Sequence, residues 1–246
     1  MRYSDADAGG RLGLSALLDY LQQTAGDQTE TLGFGYRDQL AQNVFWVLSR
    51  LSVQIERWPV WPGAVHVDTW ARNVKGLLAF RDFRVSDAQV CARASSAWVV
   101  LKNQRPQRPE PWTKIYDLVS PEPPLSENPV ILEWPEVNTE DKAQNLCQQS
   151  LPIESSWDDI DMNGHVNNRR AVLWCLAAHG SDFLQAHEPF TLDVNFLSQM
   201  FADQEYRLCW VAPSPSSGEV WDYGIFGTDS DKPCLKLRIT WRACRS

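Results

Sequence analysis

The segment DMNGHVNN, Asp161 to Asn168, sets a carboxylate, an amide and an imidazole at alternate positions just ahead of an apolar-periodic run. In an extended loop such alternation sends Asp161, Asn163 and His165 to the same side. A carboxylate can take a proton or attack an electrophile, an imidazole can shuttle a proton near neutral pH, and an amide can orient either. Gly164 between them lets backbone come close to a ligand. The start of the helix that follows presents N–H groups and a positive dipole end, a cradle for an oxygen gaining negative charge. Asp and Asn are also common ahead of helices, so capping accounts for Asp161 taken singly. His165 and the flanking Val166, Asn167 and Asn168 tip the reading to chemistry, with Asn167 and Asn168 themselves read as caps or turn formers.

Other chemistries have less behind them. Cys91, Cys147, Cys175, Cys209, Cys234 and Cys244 form no CxxC and no close spacing with the four histidines. Reduced thiols in a cytoplasmic chain are therefore expected, and a metal site is not. GLSAL at Gly13 lacks the second glycine of a nucleophile elbow, and no phosphate loop or dinucleotide fingerprint is present. His66, His179 and His187 show no partners and read as structural or surface residues. The 246 residues carry 31 acidic and 23 basic side chains, a net charge of −8, which argues against a general binder of nucleic acid or anionic membranes. No stretch approaches the ~18 apolar residues of a membrane helix. The first twenty residues carry acids where a leader needs bases, so no targeting segment is expected. A composition of 43% hydrophobic residues suits one large domain or two small ones.

The elements that must hold the DMNGHVNN loop occur twice. DAGGRLGLSALLDYL from Asp7 reads like DMNGHVNNRRAVLWCL from Asp161, an offset of 154 residues. VHVDTW ending at Trp70 resembles YRLCW ending at Trp210, and CARASSAW ending at Trp98 resembles CLKLRITW ending at Trp241, offsets of 140 and 143. Three matches in order and at similar spacing indicate a duplicated unit. Each unit is an Asp- and Gly-rich turn, a helix, then strands. Leu14, Leu17, Leu18 and Leu21 predict the first helix, with Ser15 as its N-cap and Gly33 and Gly35 at its exit. Val166 to Ala178, closed by Gly180, predicts the second. Strands are expected over 44–55, 64–71, 78–85 and 92–101, and in FTLDVNFL, EYRLCWVA, VWDYGIFG and CLKLRITW. One helix and about four antiparallel strands, twice, is an α+β pattern. The predicted organisation is an N-terminal unit over 1–102, a Pro-rich linker over 103–150, and a C-terminal unit over 151–246.

A helix wrapped by an antiparallel sheet, duplicated in one chain, resembles the double hot-dog fold. DMNGHVNNRRAVLW resembles the Asp-x-Asn-x-His-Val-Asn-Asn segment of acyl-ACP thioesterases, and VLSR, DTWARN, FRDFRV and SSAWVVL resemble that family's strand motifs in order. The resemblance spans almost the whole chain and is weakest in the linker. It implies hydrolysis of the thioester of fatty acyl-acyl carrier protein, releasing free fatty acid without metal or organic cofactor. Asp161 would be base or nucleophile, Asn163 would orient it or the water, and His165 would position the thioester or shuttle a proton. Gly164, Val166, Arg169, Arg170 and Trp46 would contact substrate, and the first unit would hold the acyl chain against Leu17, Leu21, Phe45 and Trp46. Core packing alone explains each of those wall residues and is the favoured reading of them.

The family carries a glutamate, often followed by cysteine, on the strand after the helix. Aligned through VNFLSQM, that place holds Gln199, with Met200 beside it. An amide cannot serve as a general base at neutral pH. Three readings follow: Asp161 does the work while Gln199 holds the water, Glu205 or Asp203 supplies the acid, or the protein is slow and binds acyl groups only. Unit one keeps Asp7 but has Gly9 and Arg11 at the positions of Asn163 and His165, as in a site that has lost its chemistry. Single hot-dog acyl-CoA hydrolases share a shorter Asp-x-x-Gly-His-Val-Asn pattern, so coenzyme A esters remain an alternative, as does a silent acyl-carrier or fatty-acyl binding protein. Acyl carrier protein is acidic, and Arg72 with Lys75, Lys102-Arg105-Arg108, and Arg169-Arg170 are the basic clusters that could dock it. Two units in one chain can satisfy the usual pairing internally, which leaves a homodimer open.

Overall fold

Leu14, Leu17, Leu18 and Leu21 recur at helical spacing because α1 (Leu14–Thr31) turns them, with Ala16 and Ala25, into the protein interior. The structure, a computed structural model, describes residues 1–109, 127–135, 149–213 and 219–244. These fall in two compact units, Met1–Val130 and Ile131–Ser246, whose boundary lies inside the Pro-rich stretch.

In the first unit α1 is followed by α2 (Tyr36–Gln42), β1 (Val44–Ile55), β2 (His66–Lys75), β3 (Leu78–Ser86), β4 (Val90–Lys102) and β5 (Arg105–Gln107). The sheet runs β2-β3-β4-β1, all antiparallel, with β5 paired to the end of β4. Leu51, Val53 and Ile55 of β1 are buried by two-residue alternation, and α1 lies against β2. Two expectations need correction. The N-cap of α1 is Gly13, not Ser15: its extended backbone donates to Asp5 O at 2.8 Å while its carbonyl accepts the N–H of Leu17 at 3.0 Å. And α2 was not expected, since seven residues are too few to show a period.

The second unit contains β6 (Gln149–Glu154), α3 (Asn168–Cys175), α4 (Ser181–Ala186), β7 (His187–Phe196), β8 (Glu205–Val211), β9 (Val220–Gly227) and β10 (Pro233–Ala243). Its sheet runs β7-β10-β9-β8-β6. From β8 to β7 this repeats the first unit's order strand for strand, with Trp70 and Trp210 on the corresponding strands β2 and β8 and Trp98 and Trp241 on the corresponding strands β4 and β10. β6 is an added edge. Leu192, Val194, Leu208, Ile225, Leu235, Leu237 and Ile239 are fully buried, and α3 rests on β9 and β10. The helix expected from Val166 begins two residues later and gives way to a 3-10 turn at Leu176–Ala178.

Of the expected linker, residues 103–109, 127–135 and 149–150 are described; β5 and the start of β6 fall within it, and the stretch 127–135 is bonded at both ends. Arg72 Nη2 donates to Asn128 Oδ1 at 2.6 Å in the first unit; in the second, the N–H of Leu132 donates to Asn195 Oδ1 at 2.8 Å and Trp134 stands edge-on to Phe226. Among the cysteines, Cys91, Cys175, Cys234 and Cys244 are free, but Cys209 is disulfide-bonded, which overturns the expectation of six reduced thiols. Cys147 lies outside the described residues.

Candidate active site

The Asp161 loop is a tight turn rather than the extended stretch that alternation suggested. The N–H of Gly164 donates to Asp161 O at 3.0 Å, and the N–H of Asp161 donates to His165 O at 2.8 Å. Gly164 closes the turn in the left-handed region (φ 78°), with open space where a Cβ would stand. Asp161 Oδ1 accepts the N–H groups of Asn163 (2.8 Å) and His165 (3.4 Å). Its Oδ2 has no hydrogen-bond partner among the described residues. Asn163 and Gly164 are exposed, whereas Asp161 and His165 are half-buried.

Two further bonds fix the loop's position. The N–H of Val166 donates to Met200 O at 2.7 Å, joining the loop to the segment after β7, and the N–H of Asn167 donates to Asp159 O at 2.7 Å. Val166 is buried, so its side chain belongs to the core rather than to an open surface. Asn167 Oδ1 accepts the N–H of Arg169 at 2.9 Å as the N-cap of α3, the role expected for it, and so takes one of the free N–H groups at the helix start. Asp159 is buried; its Oδ2 accepts Ser156 N–H (2.9 Å) and Oγ–H (2.8 Å), and its Oδ1 lies 2.9 Å from Arg170 Nε as an ion pair. Arg170 thereby ties the helix start to the preceding turn. Arg169 is half-buried.

The first unit builds the same loop. Asp7 Oδ1 accepts the N–H groups of Gly9 (2.8 Å) and Arg11 (2.9 Å), and the N–H of Gly10, left-handed at φ 73°, donates to Asp7 O at 3.0 Å. Here the second carboxylate oxygen is closed off: Arg11 reaches Asp7 Oδ2 through Nε at 3.2 Å and Nη2 at 3.1 Å. In the second unit the place of Arg11 is taken by His165, whose ring stands edge-on to Phe201 with centroids 5.2 Å apart. One carboxylate is neutralised within its own loop, and the other keeps an oxygen without a partner among the described residues.

Gln199 lies on the chain immediately before Met200, the residue bonded to Val166, and is exposed. Glu205 and Asp203 are also exposed, with Glu205 at the start of β8 and Asp203 in a left-handed turn at φ 54°. Trp46 lies on β1 of the first unit, half-buried, with its N–H donating to Gln39 Oε1 at 3.3 Å. Sequence reasoning missed Phe201, Ser155 and Tyr206: the last two are buried and bind the backbone of Phe201, and no spacing rule pairs residues 46 positions apart. Among the described residues no group of His, Cys, Asp and Glu could hold a metal ion.

Residues 1–114 match the model of the acyl-ACP thioesterase N-terminal domain, and residues 142–242 match that of the acyl-ACP thioesterase C-terminal domain. The chain belongs to the acyl-ACP thioesterase family. A chloroplastic palmitoyl-acyl carrier protein thioesterase of Gossypium hirsutum is 29% identical over 252 residues, covering 93% of this chain and 59% of its own length. One from Arabidopsis thaliana is 27% identical over 238 residues, covering 91% and 55%. The chain thus spans somewhat under three fifths of the length of these curated relatives. An acyl-ACP thioesterase from Bacteroides thetaiotaomicron superposes with a TM-score of 0.84 at 22% identity, over 98% of this chain and 94% of its own. The 12:0-ACP thioesterase from Umbellularia californica does so with 0.83 at 18% identity, over 99% and 95%. The fold is therefore the α+β double hot-dog of this family.

Proposed function

We propose that the protein hydrolyses the thioester of fatty acyl-acyl carrier protein, releasing the free fatty acid. The observation that carries this reading is the contrast between the two loops: Arg11 seals Asp7 Oδ2, while Asp161 Oδ2 has no partner among the described residues. Asp161 Oδ2 accepts a proton from a water molecule as that water attacks the thioester carbon. The carbonyl oxygen gains the charge, the C–S bond breaks, and the carrier thiolate takes up the proton. Holding Oδ1 in two N–H bonds keeps the carboxylate oriented while its other oxygen reacts. His165 faces the thioester, and Gln199 supplies an amide to hold the water, since it cannot act as a base. Acyl carrier protein is the partner in this reading, docking at the Arg169 side of α3. A cytoplasmic location is part of this reading. Among the described residues no helix is long and apolar enough to cross a membrane.

The test is thiol release from medium- and long-chain acyl-ACP by the wild type, Asp161→Asn and Gln199→Glu. Removing a general base costs about 10²–10⁴ in rate, so Asp161→Asn should fall by that factor while Gln199→Glu keeps or raises turnover. A wild type silent on acyl-ACP and on acyl-CoA would sink the hydrolase reading and leave an acyl-binding protein. Arg169→Glu separates the carriers: weaker use of acyl-ACP with acyl-CoA hydrolysis unchanged supports the carrier protein as partner. Arg170 is unsuited to that test because its loss would open the Asp159 turn.

A further inference from the structure

The segment that meets the Asp161 loop is held from behind by side chains, and this differs from the first unit. There the loop and its neighbour zip together through backbone: Leu12 N–H donates to Pro59 O at 2.8 Å, and Trp61 N–H donates back to Gly10 O at 2.9 Å. In the second unit the first of these bonds is kept as Val166 N–H to Met200 O. At Phe201 the chain then turns away. Its N–H donates to Tyr206 Oη at 2.7 Å, and its carbonyl accepts from Ser155 Oγ at 2.8 Å. Tyr206 passes its own proton to Gln204 Oε1 at 2.8 Å, and Ser155 Oγ also receives the N–H of Gln204 at 3.2 Å.

Both polar groups of the Phe201 peptide are thus satisfied by two side chains that are themselves almost wholly buried, Ser155 at 3% and Tyr206 at 4% exposure. Burial raises the Tyr206 phenol above its ordinary range, so it remains a proton donor at any working pH. The clamped turn includes Asp203 in a left-handed conformation, which a free loop would not keep. What the clamp presents is the Phe201 ring, 5.2 Å from the His165 ring at an interplanar angle of 70°. That edge-to-face contact is directional. It sets the imidazole plane, and its ring-current field makes the orientation readable by resonance.

We propose that Tyr206, with Ser155, is a positioning residue for the reaction: by fixing the Phe201 backbone it holds the ring that orients His165 toward the thioester. The inference deepens the thioesterase reading and rests on it for its kinetic arm only. In Tyr206→Phe the aromatic ring that packs beside Trp174 is kept and only the hydroxyl is lost. The expected result on acyl-ACP is a fall in kcat of about tenfold with KM unchanged within twofold, the pattern of a lost transition-state geometry. The His165 ring-proton resonances should move in Tyr206→Phe and move the same way in Phe201→Leu. Thr191→Val, which removes the distant Thr191–Thr240 bond, is the stability control and should leave both kcat and the His165 resonances as in the wild type. Unmoved His165 resonances in Tyr206→Phe would overturn the proposal, as would a kcat loss matched by the control. Because the resonances need no turnover, a wild type without thioesterase activity would sink the functional reading and still leave the positioning role tested.

Discussion

At Asp7 and Asp161 the same turn is made from different residues, and the glycine that closes it can be separated from the chemistry it supports. Gly10 and Gly164 sit at φ 73° and 78°, and neither has an atom within 4 Å of where a Cβ would be. Alanine at either place therefore meets no clash, and the penalty is the left-handed backbone itself, about 1–2 kcal/mol. Gly10→Ala and Gly164→Ala should lower the melting temperature by similar amounts, about 2–4 °C per kcal/mol for a chain of this size. Only Gly164→Ala should also lower turnover, because only that turn holds a carboxylate with an open oxygen. Thermal melts and thiol-release assays on both variants check this; equal loss of turnover in the two would show that the second loop has no special role.

The start of α3 shows how an element rests on one side chain. Asn167 Oδ1 holds the N–H of Arg169, and removal of such a cap costs about 1 kcal/mol. Asn167→Ala should lower the urea midpoint accordingly and leave the denaturant slope unchanged; an unchanged midpoint would mean that the Asp159–Arg170 pair alone fixes the helix start. At this scale the sequence was legible wherever a period ran long enough. The β-branched and aromatic runs of β1 and β9 predict those strands end to end, and the leucines of α1 mark its buried face. The seven residues of α2 and six of α4 carry too little period to stand out. The DMNGHVNN loop was legible as a motif, yet its shape was not: alternation assumes an extended chain, and Gly164 folds this one into a turn. The clamp of Ser155 and Tyr206 on Phe201 is tertiary, made between β8, the end of β6 and the segment after β7, and leaves no local trace.

For the molecule as a whole, the sharpest dependence on solution conditions comes from His179, which sequence spacing left without a partner. Its ring stacks on Phe183 at 4.1 Å and stands edge-on to Trp221 and Trp241, joining the 3-10 turn after α3 to α4, β9 and β10. Trp241 Nε1 donates to Tyr223 Oη at 3.0 Å, and the Tyr223 hydroxyl lies 2.6 Å from His179 Nε2. Tyr223 is wholly buried, which raises its pKa and keeps its proton in place, so the unprotonated imidazole nitrogen must be the acceptor. Burial first, and the neighbouring His187 second, lower the His179 pKa from 6.5 to about 4. The fold thus favours neutral His179. Its contribution is fully present above about pH 6.5 and is lost as the pH falls through that value toward 4, where the unfolded chain gains the proton first. Melting temperatures of the wild type should therefore decline between pH 6.5 and 4.5. In His179→Gln the amide oxygen can still accept from Tyr223 but does not titrate, so its decline over the same window should be shallower. Parallel slopes for the two proteins would assign the acid sensitivity to other groups and leave the His179 cluster as packing alone.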